Sequence, residues 1–168
     1  RKRGTSEVDV EFLKEIEGWR DELARNLALR NPQLSVHELN FAVQRTIDRI
    51  IFLRMCEDRG IEEYGRLQAL INGPHIYQRM GELYRQADEK YNSDLFDFQA
   101  DRLTRSLELD DRVLKPILCG LYYPDSPYEF SVLPPEILGQ VYEQFLGKVI
   151  RLTAGHRAKV EEKPEVKK

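Results

Sequence analysis

Eight apolar residues, Leu39, Val43, Ile47, Ile50, Ile51, Phe52, Leu53 and Cys56, are spaced for one helix but spread over more than one of its faces. Apolar surface left in water costs about 25 cal/mol per Å², so such a helix has to be enclosed by other elements. The chain is therefore predicted to gather its remaining segments around a central helix. Its start is marked by Ser35 and Glu38, the spacing of a capping box in which each side chain satisfies a free backbone amide. Its end is set near Gly60, a residue suited to the left-handed turn that closes a helix.

The other segments supply the enclosing helices. Phe12, Leu13, Ile16, Trp19, Leu23 and Leu27 form one apolar stripe on a helix from Val8 to Leu29, stopped by Asn31 and Pro32, since proline disfavours helical geometry in the residue before it. A short helix over Tyr64 to Ile71 is followed by the turn residues Asn72 and Gly73, with Pro74 expected at the first position of the next helix. That helix carries Ile76, Met80, Leu83, Tyr84, Ala87 and Tyr91, and ends at the loop opened by Asn92. Leu95, Phe96 and Phe98 read as an aromatic plug, Asp101 to Leu107 as a further short helical piece, and Asp110 or Asp111 as the cap of a helix through Val113, Leu114, Ile117, Leu118 and Leu121. Beyond a turn at Pro124 to Pro127, Tyr128 to Val132 is predicted as one short strand. Pro134 and Pro135 then open a last helix reaching Val149. Strands do not alternate with helices and no repeat recurs, so the expected fold is all-α. It is an irregular multi-helix bundle with at most one short strand or hairpin and an extended C-terminal tail.

Composition narrows the function. The 168 residues are 41% hydrophobic and 33% charged, too apolar for a disordered chain, and no stretch has the length of a bilayer span. Two cysteines with no metal-ligand spacing, Cys56 and Cys119, read as free thiols, and with no signal peptide the chain is expected to be cytoplasmic. A net charge of −3 means that any DNA contact has to come from a local basic face or a neighbouring domain.

Catalytic motifs are not found. Glu161, Glu162 and Lys163 place an acidic pair beside a lysine, but no strand and loop supply the partner carboxylate of a metal-dependent nuclease. The Asn/Asp-Pro-Pro-aromatic turn that holds a flipped base has no counterpart, because Pro134 and Pro135 follow Leu133. His37, His75 and His156 lie far apart, with no nucleophile at a familiar offset. No catalytic, cofactor-binding or metal site is therefore assigned.

One charged constellation remains, interleaved with the central helix: Arg45, Asp48, Arg49, Arg54, Glu57, Asp58 and Arg59. Arg45 and Arg49 are four apart and could grip a phosphate, whereas Arg54 and Asp58 can form an ion pair. The competing reading is that the arginines bridge to carboxylates such as Glu15, Glu22 or Asp48, since a helix apolar on most sides leaves little surface for DNA. With the basic tail added, the candidate phosphate contacts are Arg45, Arg49, Arg151, Arg157, Lys159 and Lys163.

Three stretches, LALRNPQLSVHELNFAVQRTIDRIIFLRMCEDRG (27–60), LYYPDSPYEFSVLPPEILGQVYEQFLGKVI (121–150) and HRAKVEEKPEVKK (156–168), resemble the helical region of type IIG single-chain restriction-modification enzymes. The resemblance covers about Val8 to Lys168. In that family this region joins an N-terminal nuclease to an adenine-N6 DNA methyltransferase, and methylase-only phage-defence relatives share a similar stretch. The resemblance implies residues 1–7 as a linker, 8–150 as a helical connector and 151–168 as a charged junction. It implies no family catalytic residue in this chain. S-adenosylmethionine and a divalent metal such as Mg are expected for the parent enzyme, with double-stranded DNA and the flanking nuclease and methyltransferase domains as partners. A helical module that binds DNA nonspecifically is the alternative.

Overall fold

The structure is a computed structural model that describes residues 7–126, 130, 148–152 and 154–162. Among the described residues, the helices α1 (Glu7–Arg30), α2 (Val36–Asp58), α3 (Arg66–Ala69), α4 (Ile76–Tyr91) and α5 (Asp111–Cys119) and a 3₁₀ turn at Thr104–Ser106 precede a hairpin of β1 (Lys148–Leu152) and β2 (Ala158–Glu162). This is the expected mostly helical bundle. α2 is the central helix: Leu39, Ala42, Val43, Ile47, Ile50 and Ile51 are all essentially inaccessible to solvent, and its cap is the capping box of Ser35 and Glu38. α1 packs along α2, and its own stripe buries Phe12, Ile16, Leu23 and Leu27.

Asn31 does more than stop α1. Its side-chain amide donates to the Leu27 carbonyl at 2.8 Å and to the Glu108 carbonyl at 2.9 Å, while its Oδ1 accepts the Glu108 amide at 2.9 Å. One buried side chain thus caps a helix and satisfies both backbone groups of a residue far along the chain.

Two expected starts differ in detail. α4 begins at Ile76 rather than at Pro74, because Gly73 (φ 131°) and His75 (φ 57°) both take left-handed backbone and carry the proline ahead of the helix. Its free amides are met across the bundle, where Asp111 accepts the His75 amide at 3.0 Å and the Ile76 amide at 2.8 Å. Asp110 is the N-cap residue of α5, as expected, yet its side chain makes no cap bond. It is drawn instead to α1, accepting from Asn26 at 2.9 Å and from Arg30 at 3.0 Å. Charge-assisted bonds of this kind outweigh a local cap bond.

The predicted strand at Tyr128 to Val132 lies outside the described residues apart from Phe130, which is buried edge-on against Phe12. The last helix also lies outside them, except at its end, where Lys148 and Val149 belong to β1. The β-branched Val149 and Ile150 suit a pleated strand better than a helix. The tail expected as an extended arm is extended but paired, with Leu152 opposite Ala158 and Ile150 opposite Val160. The hairpin lies against the bundle, β2 on α1 and β1 on α2. His156 in its turn, at φ 60°, approaches the Asn31 carbonyl at 3.3 Å through Nε2.

Replacing Asn31 removes a buried bond to the Leu27 carbonyl and two part-buried bonds to the Glu108 backbone, each contributing about 1 kcal/mol, whereas loss of the exposed Ser35 cap costs about 1 kcal/mol in all. In urea unfolding, Asn31→Ala is therefore expected to destabilise the chain by more than Ser35→Ala.

Candidate nucleic-acid interface

The arginines of α2 divide by burial. Arg45 is half-buried with its guanidinium 5.1 Å from the Phe41 ring, and remains on the surface. Arg49 is 1% exposed, which corrects its assignment as a phosphate contact. Its Nε donates to the Leu95 carbonyl at 2.8 Å, Nη1 to the Thr104 hydroxyl at 2.9 Å and Nη2 to Asp101 Oδ2 at 2.8 Å. The rings of Tyr84, Phe96 and Phe98 surround it, the nearest centroid at 4.8 Å. A buried guanidinium in which each nitrogen donates within the fold and whose faces meet aromatic rings presents no surface to DNA.

The ion-pair reading was right in kind, but the partner is Asp101 rather than Glu15, Glu22 or Asp48. Burial pushes the Asp101 carboxyl up, but the Thr104 hydroxyl and amide, Arg49 and the Leu103 amide outweigh it and hold it below its ordinary value of 3.8. Tyr77 donates to the Thr104 carbonyl at 2.7 Å, and its own burial raises its hydroxyl to about 12.

Arg54 forms a second buried knot. It pairs with Asp58, as its spacing predicts, donates to the Leu121 carbonyl at 2.9 Å and lies 4.3 Å from the Tyr122 ring centroid. Beside it, Glu57 accepts the Tyr122 hydroxyl at 2.7 Å and the amides of Gly65 at 2.9 Å and Leu67 at 3.0 Å, closing the start of α3. A cavity of about 160 Å³ between α2, α3 and α4 borders this knot, lined by Glu57, Glu62, Arg66 and Lys90 among aliphatic residues. Its charges are mutually engaged, Glu62 with Arg66 and with Lys90.

Of the other candidates, Lys159 lies opposite Arg151 in the hairpin register and is exposed, as is Arg157 just before β2. Lys163 lies outside the described residues. Arg157 comes together with residues that sequence reasoning missed, in a groove of about 350 Å³ lined by Glu22, Arg25, Asn26, Leu29, Arg112 and Val113 with Arg157 and Ala158. Three arginines from α1, α5 and the hairpin thus face one glutamate. Half of this was legible, since Glu22, Arg25, Asn26 and Leu29 share a helical face. That Arg112 and Arg157 join them is a tertiary fact without a local signal. Partial burial raises the Asp110 carboxyl beneath the groove, but hydrogen bonds from Arg30 and Asn26 and the charges of Arg30 and Arg112 outweigh it and hold it below 3.8. Among the described residues no group of three His, Cys, Asp or Glu side chains could hold a metal ion, and no helix is long and apolar enough to cross a membrane.

In an alignment of 165 positions that covers 94% of the chain, the sequence is 37% identical to the type II restriction enzyme and methyltransferase RM.Eco57I of Escherichia coli. The chain is thus related to a region of a restriction-modification enzyme. It spans 16% of the length of that relative. No family profile and no solved structure matches it.

Removing Arg49 leaves Asp101 buried without its countercharge, a change that costs about 3–5 kcal/mol, whereas exposed positions change stability by about 0.5 kcal/mol. Arg49→Met should therefore lower the urea midpoint strongly and Arg45→Met hardly at all. Because Asp101 and Asp110 titrate below their ordinary values, their contribution is complete above about pH 4 and is lost as pH falls through the depressed folded values. The thermal midpoint should hold from neutral pH to about 5 and fall below about 4. That acid fall should be shallower in Asp101→Asn.

Proposed function

We propose that this chain is the helical connector of a restriction-modification enzyme, joining an endonuclease to an adenine-N6 DNA methyltransferase and holding the two at a fixed relation on DNA. The observation that carries this reading is the match to RM.Eco57I, which runs along 94% of this chain but only 16% of the relative, as expected for one region of a multidomain enzyme. The bundle suits the role. Its central helix is tied on two sides by buried arginine knots, and networks of that kind hold neighbouring elements in one arrangement. In this reading S-adenosylmethionine and the divalent metal act in the flanking domains, and the connector contributes position rather than chemistry.

The test is an exchange in the E. coli relative. With its matching region replaced by this chain, the relative should keep cleavage and methylation within about tenfold, a change of about 1.4 kcal/mol. With a Gly/Ser linker of equal length, which behaves as a random coil, both activities should collapse. Full activity with the linker, or specific micromolar binding of S-adenosylmethionine by this chain alone, would overturn the connector reading.

A further inference from the structure

We infer that the groove between α1, the start of α5 and the hairpin is a seat for the phosphate backbone of duplex DNA, gripped by Arg25, Arg112 and Arg157. The inference rests on the connector reading only for the choice of DNA as the polyanion; the site itself comes from the groove. Three independent elements each bring one exposed arginine to its wall, against the single carboxylate of Glu22, in a molecule whose net charge is −3.

The ion pairs that Arg25 and Arg112 hold do not compete strongly with a phosphate. Arg25 pairs with Asp21 at 2.9 Å, but the two side chains are 62% and 40% exposed, and such surface pairs are worth about 0–1 kcal/mol. Arg112 reaches Asp110 only at 3.5 Å and is 66% exposed, and Asp110 is already engaged by Arg30 and Asn26. A diester oxygen offers these guanidinia a fully ionised acceptor with fork geometry. Asn26 is buried and tied to Asp110 through both its amide nitrogen and its Oδ1, which receives the Asp110 amide at 2.8 Å. The floor of the groove is thereby fixed, and α1 cannot shift against α5 without breaking these bonds. A groove open to solvent with cations along its walls suits an extended polyanion better than an enclosed small ligand, which apolar and aromatic side chains would surround.

Phosphate contacts carry a quantitative signature, because each neutralised phosphate releases counterions, so log affinity falls against log salt with a slope of about 0.9 per contact on duplex DNA. Fluorescence anisotropy of this chain with a labelled duplex, between 50 and 200 mM salt, should give a slope of about 2.7, a loss of about 40-fold across that range. Arg25→Gln, Arg112→Gln and Arg157→Gln should each lower the slope by about 1 and weaken binding alike on unrelated sequences. The triple variant should lose nearly all salt dependence. Arg85→Gln, which removes the same charge from the exposed face of α4, should leave the slope unchanged. Thermal unfolding of each single variant checks that the bundle is intact.

A triple variant that keeps the parental slope, no complex at 50 mM salt, or an equal loss in Arg85→Gln would overturn the groove assignment. Binding a matched RNA duplex more than tenfold tighter would overturn the choice of DNA. None of these outcomes bears on the exchange experiment, so the groove and the connector reading fail separately.

Discussion

Burying the guanidinium of Arg49 takes a permanent charge out of water, at a cost of several kcal/mol that only close, complete compensation can offset. The compensation is supplied by Asp101, the Thr104 hydroxyl and the Leu95 carbonyl, with aromatic rings over the faces of the guanidinium. Every one of these groups comes from α4 or from the chain between α4 and α5. That stretch has almost no regular secondary structure, so its polar groups cannot satisfy one another through a ladder. Arg49 therefore gives the segment its place: the loop is anchored because it solvates the arginine, and the arginine is tolerated because the loop surrounds it.

Arg54 repeats the arrangement five residues later, about 140° around the same helix. Its neighbour Glu57 organises α3, and its ion-pair partner Asp58 holds Phe130, whose amide it accepts through Oδ2 at 2.9 Å. The central helix is thus gripped on two sides by polar interactions whose geometry is directional, in a core otherwise held by non-directional burial. Hydrophobic contact would allow the surrounding pieces to slide in register; a forked guanidinium does not.

Signals that act within one turn of helix were readable in the sequence. The period of the apolar residues located α1, α2, α4 and α5, and the Ser35 and Glu38 spacing located a cap. The pairings that decide side-chain fate run between residues 35 to 84 apart, such as Ile76 with Asp111 and Asn26 with Asp110, and leave no local mark. Hence Asp110 could be read as a cap while its carboxylate serves α1, and the cap of α4 comes from Asp111 on another helix. The burial of Arg49 was half-legible. A helix apolar on most sides has little surface left, so an arginine within it must be enclosed, but its partner could not be named from spacing. The hairpin was missed as a paired unit because Ala158 and Val160 alternate with charged residues only loosely, and pairing depends on a partner strand placed by the bundle.

The same division separates the scaffold from the groove. Residues within the knots are saturated and cannot exchange partners cheaply, which makes them poor ligands and good fixtures. At the groove, Arg25 and Arg112 hold weak, exposed pairs above a rigid base in which Asn26 and Asp110 are engaged with each other. A site that must release its ligand needs this combination, because preorganised walls lower the entropic cost of binding while weak native pairs keep the competition small. With few charges and a chain that is acidic overall, such a groove binds only modestly alone. If the chain is the connector proposed above, the groove acts chiefly once flanking domains hold the duplex, since tethering raises effective concentration and turns a weak contact into a strong constraint on orientation.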